Sequence, residues 1–272
     1  MYRSHTAEVD WNLLETVRRS APLVHNITNL VVQNETADAI AATGGVQITL
    51  HTIEEVADAA ALSSSLAVNL GTLNEPLLHC ARQAVATARQ LERPWILDPV
   101  AAGLTRYRTD AAHEFLELGP AVLKSNASET LVLGGRADQG RGADSIHSVD
   151  HAAAAARELA KRYGCVVVVS GPEDLITDGA RTVRVANGHP LMGRMIGSGC
   201  MLTSVIGCFL GVSGSPFDAA VAAVSCFDVA GEIAAERAGG PGTLKPLLID
   251  ALYHLESNVL EARVKATLAA VD

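Results

Sequence analysis

Short β-branched or apolar runs recur along the chain, separated by longer stretches whose apolar positions return every three to four residues. Residues 46–50, 66–70, 95–97, 121–123 and 166–169 have the length and composition of strands buried on both faces. Residues 28–42, 53–62, 75–91, 150–163, 200–210 and 216–237 read as helices, several opened by Thr, Asn, Asp or Pro. Strand and helix alternate. That rhythm predicts an α/β fold with a mainly parallel central sheet and crossover helices on both faces. Residues 174–177 and 181–186 flank Asp178-Gly179-Ala180, a turn-forming sequence between two strand-like runs, and predict a hairpin. The alanine-rich stretch 217–260 reads as packing scaffold, and no internal repeat is present.

Composition narrows the class. At 272 residues and 49% hydrophobic, the chain is expected to form a single domain over 1–272 with a substantial core. The net charge of −9, with no cluster of Lys and Arg, argues against nucleic acid as a partner. Cys80, Cys165, Cys200, Cys208 and Cys226 are odd in number and scattered, which fits a reducing cytoplasm better than a disulfide framework or a structural zinc site. Met1 to Asp10 lacks the apolar run of a signal peptide, and the longest apolar run, near residues 205–212, is too short to span a bilayer. A soluble, cytoplasmic protein is expected.

Candidate chemistry concentrates at loops. Gly197, Ser198 and Gly199 run straight into a helix headed by Cys200, so backbone N–H groups and a helix dipole converge where negative charge develops. The plain alternative is a tight helix entry with a buried cysteine. Polar residues also follow the strand-like runs: Asp98, then Lys124, Asn126 and Glu129, then Ser170. In an open parallel sheet those ends share one edge, where ligands collect. Asp98 and Glu129 offer hard oxygen ligands for Mg²⁺, and Lys124 and Asn126 can face phosphate oxygens. Equally, Asn126 or Ser128 can cap a helix and Glu129 can sit in its first turn. The small polar side chains of the cluster His25 to Asn29 can orient a ligand; the plainer reading makes Thr28 or Asn29 a helix N-cap and His25 a structural histidine. His51, His79 and His147 have no metal-ligand spacing. The glycine-rich stretch 133–142 lacks the lysine and hydroxyl of a phosphate-binding P-loop and reads as a loop or lid margin.

Taken together, Pro22 to Asn29, Asn69 to Thr72, Ile96 to Gly103, Asn126 to Glu129 and Gly197 to Cys200 resemble, in order and approximate spacing, the hydroxyethylthiazole kinase family of the ribokinase-like superfamily. The likeness runs from about Pro22 to Gly242. The cysteine is its most specific mark, because most ribokinase-like enzymes place an aspartate after the glycine loop. The resemblance implies a ribokinase-like three-layer α/β fold and phosphorylation, by ATP and Mg²⁺, of the primary alcohol of 4-methyl-5-(2-hydroxyethyl)thiazole in thiamine salvage. It also implies a homotrimer with substrate pockets at subunit boundaries.

By the same resemblance, Lys124, Asn126 and Ser170 face the nucleotide, Asp98 and Glu129 serve the magnesium, and Asn29, Thr49 and Gly197 line the thiazole pocket. Cys200 stands beside the alcohol, with Gly197, Ser198 and Gly199 as the anion cradle. A thiol at a helix N-terminus is expected to have a lowered pKa, and Cys200 reads either as the group accepting the alcohol proton or as one positioning the hydroxyl. Thr49, where the family often has methionine, and Ile196, where it usually has threonine, are departures that redistribute apolar contact around the ring, and the shorter, polar Thr49 is expected to enlarge the pocket toward bulkier or more polar alcohols. The competing readings are a ribokinase-like kinase of another heterocyclic alcohol, of the hydroxymethylpyrimidine or pyridoxal type, and a non-catalytic sensor of nucleotide or thiamine precursors.

Overall fold

The structure, a computed structural model, describes residues 9–136 and 149–269. The readings that fall on residues 1–8, on 137–142 of the glycine-rich stretch and on His147 lie outside the described residues. From the N-terminus, α1 (Leu13–Ser20) leads into β1 (Leu23–Ile27), α2 (Gln33–Thr43), β2 (Val46–Ile48), α3 (Val56–Leu62) and β3 (Ser65–Asn69). Next come α4 (Glu75–Gln90), β4 (Trp95–Asp98), α5 (Arg106–Glu117), β5 (Val122–Asn126), α6 (Ala127–Leu133), α7 (Val149–Tyr163) and β6 (Val166–Ser170). The predicted hairpin follows as β7 (Asp174–Thr177) and β8 (Thr182–Val185), then a 3₁₀ turn (Pro190–Arg194), α8 (Ser198–Leu210), α9 (Pro216–Ala235), α10 (Pro241–His254), α11 (Ser257–Arg263) and β9 (Ala266–Leu268).

One sheet of nine strands carries these elements in the order β2-β1-β3-β4-β5-β6-β7-β8-β9. Strands β2 through β6 pair in parallel, and β7, β8 and β9 continue the sheet antiparallel. Because successive strand side chains point to opposite faces, each apolar run feeds two cores. Val166 and Val168 pack with α8, α9 and α10, while Val167 and Val169 pack with α4 and α7. Helix α8 is buried from Met201 to Leu210, and Ser65 Oγ donates to the Gly207 carbonyl at 2.6 Å, which fixes the helix on the sheet. Among the described residues no helix is long and apolar enough to cross a membrane.

Two sequence expectations give way near the N-terminus. Residues 23–27 form a central strand although His25 and Asn26 are polar, because each finds a partner inside: His25 Nε2 lies 2.9 Å from the Leu50 carbonyl, and Asn26 donates to Thr36 Oγ1 at 2.9 Å. Helix α2 therefore starts at Gln33, not residue 28. Its N-cap is Val32 without a side-chain bond, so neither Thr28 nor Asn29 caps it. Strand β2 stops at Ile48. Helices α1 and α5 and the short edge strand β9 also lie outside the predicted set.

Candidate active site

The period of the strands decides which polar tips meet. Ala67, Ile96 and Val122 point to the α8 side of the sheet, so two residues later Asn69, Asp98 and Lys124 point there too, at the carboxyl ends of three adjacent strands. The N-terminus of α8 lies over them. Asn69 Nδ2 donates to Asp98 Oδ2 at 2.7 Å and to Cys200 Sγ at 3.2 Å. Asn29 Nδ2 donates to Asn69 Oδ1 at 2.9 Å and reaches Cys200 Sγ at 3.5 Å. Thr203, one turn into α8, donates from Oγ1 to Asp98 Oδ2 at 2.7 Å, and Lys124 Nζ lies 3.7 Å from the same oxygen.

Glycine is required at two points of the cradle. Gly197, the N-cap of α8, has φ +93°, and a Cβ there would stand 2.6 Å from Val32 Cγ1. A Cβ on Gly199 would stand 2.7 Å from Lys124 Nζ, so the missing side chain is what lets the ammonium come under the first turn of the helix. Residues 197–200 are all partly exposed, as a site open to a ligand must be.

Burial dominates the electrostatics. It works against the Lys124 charge, but Asp98 and Glu129 among the surrounding acidic groups outweigh it, so the lysine pKa is raised and the side chain stays charged at neutral pH. Burial raises the Glu129 pKa, with Lys124 pulling it back and Asp98 adding to the rise. The Cys200 thiol is pushed up to about 11, first by burial and then by the Asp98 carboxylate, against the pull of Lys124 and the two asparagine amides. The expectation of a lowered thiol pKa is therefore overturned. Desolvation and a neighbouring carboxylate exceed what one helix terminus supplies.

The remaining candidate residues are placed less uniformly. Asn126 and Glu129 form a capping box at α6: Asn126 Oδ1 accepts from Glu129 N at 2.9 Å, Glu129 Oε2 accepts from Asn126 N at 2.8 Å, and Oε1 accepts from Ala101 N at 2.7 Å. The capping alternative thus holds for both residues, and each Glu129 oxygen keeps a lone pair for a further partner. Ser170 pairs with Asn126 in the sheet register and donates weakly to the Ser125 carbonyl at 3.4 Å. Thr49 stands just past the edge strand β2, where its hydroxyl donates to Gln47 Oε1, and it is not a member of the Cys200 network. Ile196 is 71% exposed beside the cradle, and Leu30 and Val31 are 69% and 61% exposed on the loop after β1. Asn69 and Thr203 were missed as site residues. Asn69 carries a signal, as the polar end of an apolar run and the first residue of the 69–72 motif, whereas Thr203 is one hydroxyl in an apolar helix and carries none.

Asp98 and Glu129 are two carboxylates, and among the described residues no group of three or more His, Cys, Asp or Glu could hold a metal alone. Such a pair fits Mg²⁺, which keeps several waters and takes one or two carboxylates together with substrate phosphates.

The hydroxyethylthiazole kinase family matches residues 14–258, a span that includes every element of this network. The chain belongs to the hydroxyethylthiazole kinase family. It is 47% identical over 248 residues to the hydroxyethylthiazole kinase of Granulibacter bethesdensis, covering 91% of this chain and 90% of the relative. It is 46% identical over 256 residues to that of Oleidesulfovibrio alaskensis, covering 94% and 96%. The solved hydroxyethylthiazole kinase protein of Pyrococcus horikoshii OT3 superposes with a TM-score of 0.88 at 36% identity, covering 95% of this chain and 98% of that one. Pyridoxal kinase of Staphylococcus aureus, at 15% identity and a TM-score of 0.59 over 77% of this chain and 87% of its own, shares the fold alone. Membership in the hydroxyethylthiazole kinase family makes the protein a phosphotransferase with the ribokinase-like α/β fold that its sequence resembles.

Proposed function

We propose that the protein transfers the terminal phosphoryl group of ATP to the primary alcohol of 4-methyl-5-(2-hydroxyethyl)thiazole, as a cytoplasmic, Mg²⁺-dependent homotrimer of a single kinase domain acting in thiamine salvage. The observation that carries this reading is the convergence of the Gly197–Cys200 cradle with Lys124 and Asp98 above one sheet edge. Phosphoryl transfer asks a protein mainly for alignment and charge neutralisation, and this site supplies both. The amides of Gly197, Gly199 and Cys200 and the Lys124 ammonium face the migrating group, while the Ser198 amide donates to the Met195 carbonyl at 3.3 Å, and Asn126 and Ser170 stand beside the rest of the nucleotide. Asp98 and Glu129 would hold the magnesium, which supplies positive charge against the phosphates when bound. Asn29, Thr49 and Gly197 line the thiazole side, with Cys200 at the alcohol.

The raised pKa favours one of the two roles left open for Cys200. As a neutral thiol whose sulfur accepts from the Asn69 and Asn29 amides, it directs its own proton out of that network, toward a ligand hydroxyl. Cys200 then positions the acceptor oxygen. Leu30, Val31 and Ile196, exposed beside the site, are surfaces that a second copy would cover in the proposed trimer. The five free cysteines, four of them buried, support a reducing compartment. An ADP-release assay with the thiazole alcohol, run beside pyrimidine and pyridine alcohols, tests the proposal. Turnover specific to the thiazole alcohol is expected, and equal or greater turnover of another alcohol would reassign the substrate.

A further inference from the structure

The motifs Asn69 to Thr72 and Ile96 to Gly103 carry β3 and β4 into two loops, and both loops meet the guanidinium of Arg108. Arg108 Nη1 donates to the Leu70 carbonyl at 2.8 Å and to the Val100 carbonyl at 3.1 Å, and Nη2 donates to the Gly71 carbonyl at 2.6 Å. The first turn of α5 fixes the arginine, because Thr105, the N-cap, accepts from the Arg108 amide at 3.3 Å. Behind that turn, Ala111, Ala112, Phe115 and Leu116 bury the helix against the core. Arginine suits the task, since its planar fork presents several donors in one rigid plane.

A trans peptide group points its C=O and N–H in opposite directions, so a clamped carbonyl has an N–H on its far side. The peptide joining Leu70 to Gly71 gives its N–H to Asn69 Oδ1 at 3.0 Å. The peptide joining Val100 to Ala101 gives its N–H to Glu129 Oε1 at 2.7 Å. A single peptide group thus separates Arg108 from Asn69, which fixes Asp98 and Cys200, and another separates it from Glu129. Gly71 also lies so close to Asn29 that a Cβ there would stand 2.6 Å from that side chain, so the clamp seats this loop on the second asparagine of the network. In the other loop, Ala101 holds φ +61°, a conformation alanine rarely adopts, with its preceding peptide anchored at both ends.

We propose that Arg108 is a positioning residue for phosphoryl transfer, holding Asn69 and Glu129 in place through these two peptide groups. The proposal rests on the reading of the Cys200 network and Glu129 as the transfer site. A peptide bonded at both ends is polarised, which strengthens the bond on its far side. Releasing the carbonyls therefore loosens Asn69 and Glu129 together.

The test is a double-mutant cycle between Arg108→Met and Asn69→Ala. It is read in kcat at saturating Mg–ATP and alcohol and in the pH midpoint of Cys200 alkylation, which needs no turnover. Arg108→Met is expected to lower kcat about tenfold through misalignment, and to move the midpoint upward as the displaced Asn69 amide bonds the sulfur less. In the Asn69→Ala background the same change is expected to lower kcat only about threefold, the share that passes through Glu129, and to leave the midpoint where Asn69→Ala alone puts it. Arg108→Lys keeps the charge, but its single nitrogen cannot span two loops. It is expected to keep a thermal midpoint near wild type and still to lose kcat about tenfold, so the test stands even where Arg108→Met does not fold. Losses in kcat that multiply in the double variant, with midpoint shifts that add, would make Arg108 a general support of the fold and overturn the positioning role. Full recovery of kcat by lysine would assign the effect to charge and overturn the clamp. Wild type that turns over no alcohol, while its alkylation midpoint still responds to Arg108→Met, would refute the kinase reading instead.

Discussion

Raising the pH across the range below the Cys200 pKa separates the two roles of that residue, because they predict opposite behaviour. With the thiol at about 11, only about one molecule in a thousand carries a thiolate at pH 8. If thiolate were the base, kcat would climb about tenfold for each pH unit between roughly 7 and 10. If the neutral thiol positions the hydroxyl, kcat is flat over the same range and falls only as the thiol ionises. We expect the flat profile, measured as ADP release at saturating Mg–ATP and alcohol, with alkylation of Cys200 quantified by mass spectrometry to locate the thiol midpoint independently. The raised pKa also has a stability consequence. An acid whose folded pKa exceeds its ordinary value of 9.0 stabilises the fold fully below that value, and the contribution, about 2–3 kcal/mol, is lost as the pH rises toward 11. Cys200→Asp is expected to keep appreciable activity, because a carboxylate can serve as acceptor, while Cys200→Ala loses more. A tenfold rise per pH unit with an alkylation midpoint near 11 would refute the positioning role, and equal rates for wild type and Cys200→Ala would remove any role.

Asn69→Ala removes one charge-assisted bond to Asp98 and one bond to the sulfur, so kcat is expected to fall about 10- to 100-fold and the Cys200 alkylation midpoint to move upward; an unchanged midpoint would count against the network. Gly197→Ala forces a side chain into a left-handed conformation and against Val32, at a cost of about 1–2 kcal/mol, and both the thermal midpoint and turnover should drop; a variant as stable and as active as wild type would show the cradle to be adaptable. Thr49→Met is expected to shift the ratio of kcat/KM by about tenfold from bulkier alcohols toward the thiazole alcohol, and an unaltered ratio would place residue 49 outside the pocket.

The sequence was most legible where a residue answered to one constraint. Runs such as 166–169 had to be buried on two faces, and they are. The predicted strands 121–123 and 166–169 end earlier than β5 and β6, which extend to Asn126 and Ser170, because pairing in a parallel ladder continues after the side chains turn polar. The same effect hid β1. His25 and Asn26 break the apolar pattern, and the bonds that make them tolerable inside come from Leu50, Thr36 and Ser204, which are distant in sequence. Asp98, Lys124 and Cys200 were legible as a group because strand ends of a parallel sheet share one edge. The thiol pKa was not, since the burial and the neighbouring carboxylate that raise it exist only after α8 has packed over β4.

This dependence on packing explains why the site is built around asparagines. A lysine and a carboxylate buried together must be held at a distance where attraction offsets desolvation, and Lys124 and Asp98, at 3.7 Å, have no direct hydrogen bond to fix them. Asn69 supplies the missing constraint. Its amide hydrogens go to Asp98 and Cys200, and its oxygen takes Asn29 Nδ2 and, at 3.0 Å, the Gly71 amide, so all four of its positions are used and only one orientation is possible. A flipped amide would set its oxygen against the Asp98 carboxylate. The carboxylate is thereby fixed by neutral donors, from Asn69 and Thr203, that leave its charge intact for a cation, and the sulfur is fixed without being ionised. A tighter ion pair would hold Asp98 as firmly but would spend on Lys124 the charge that the phosphates and their metal ion need.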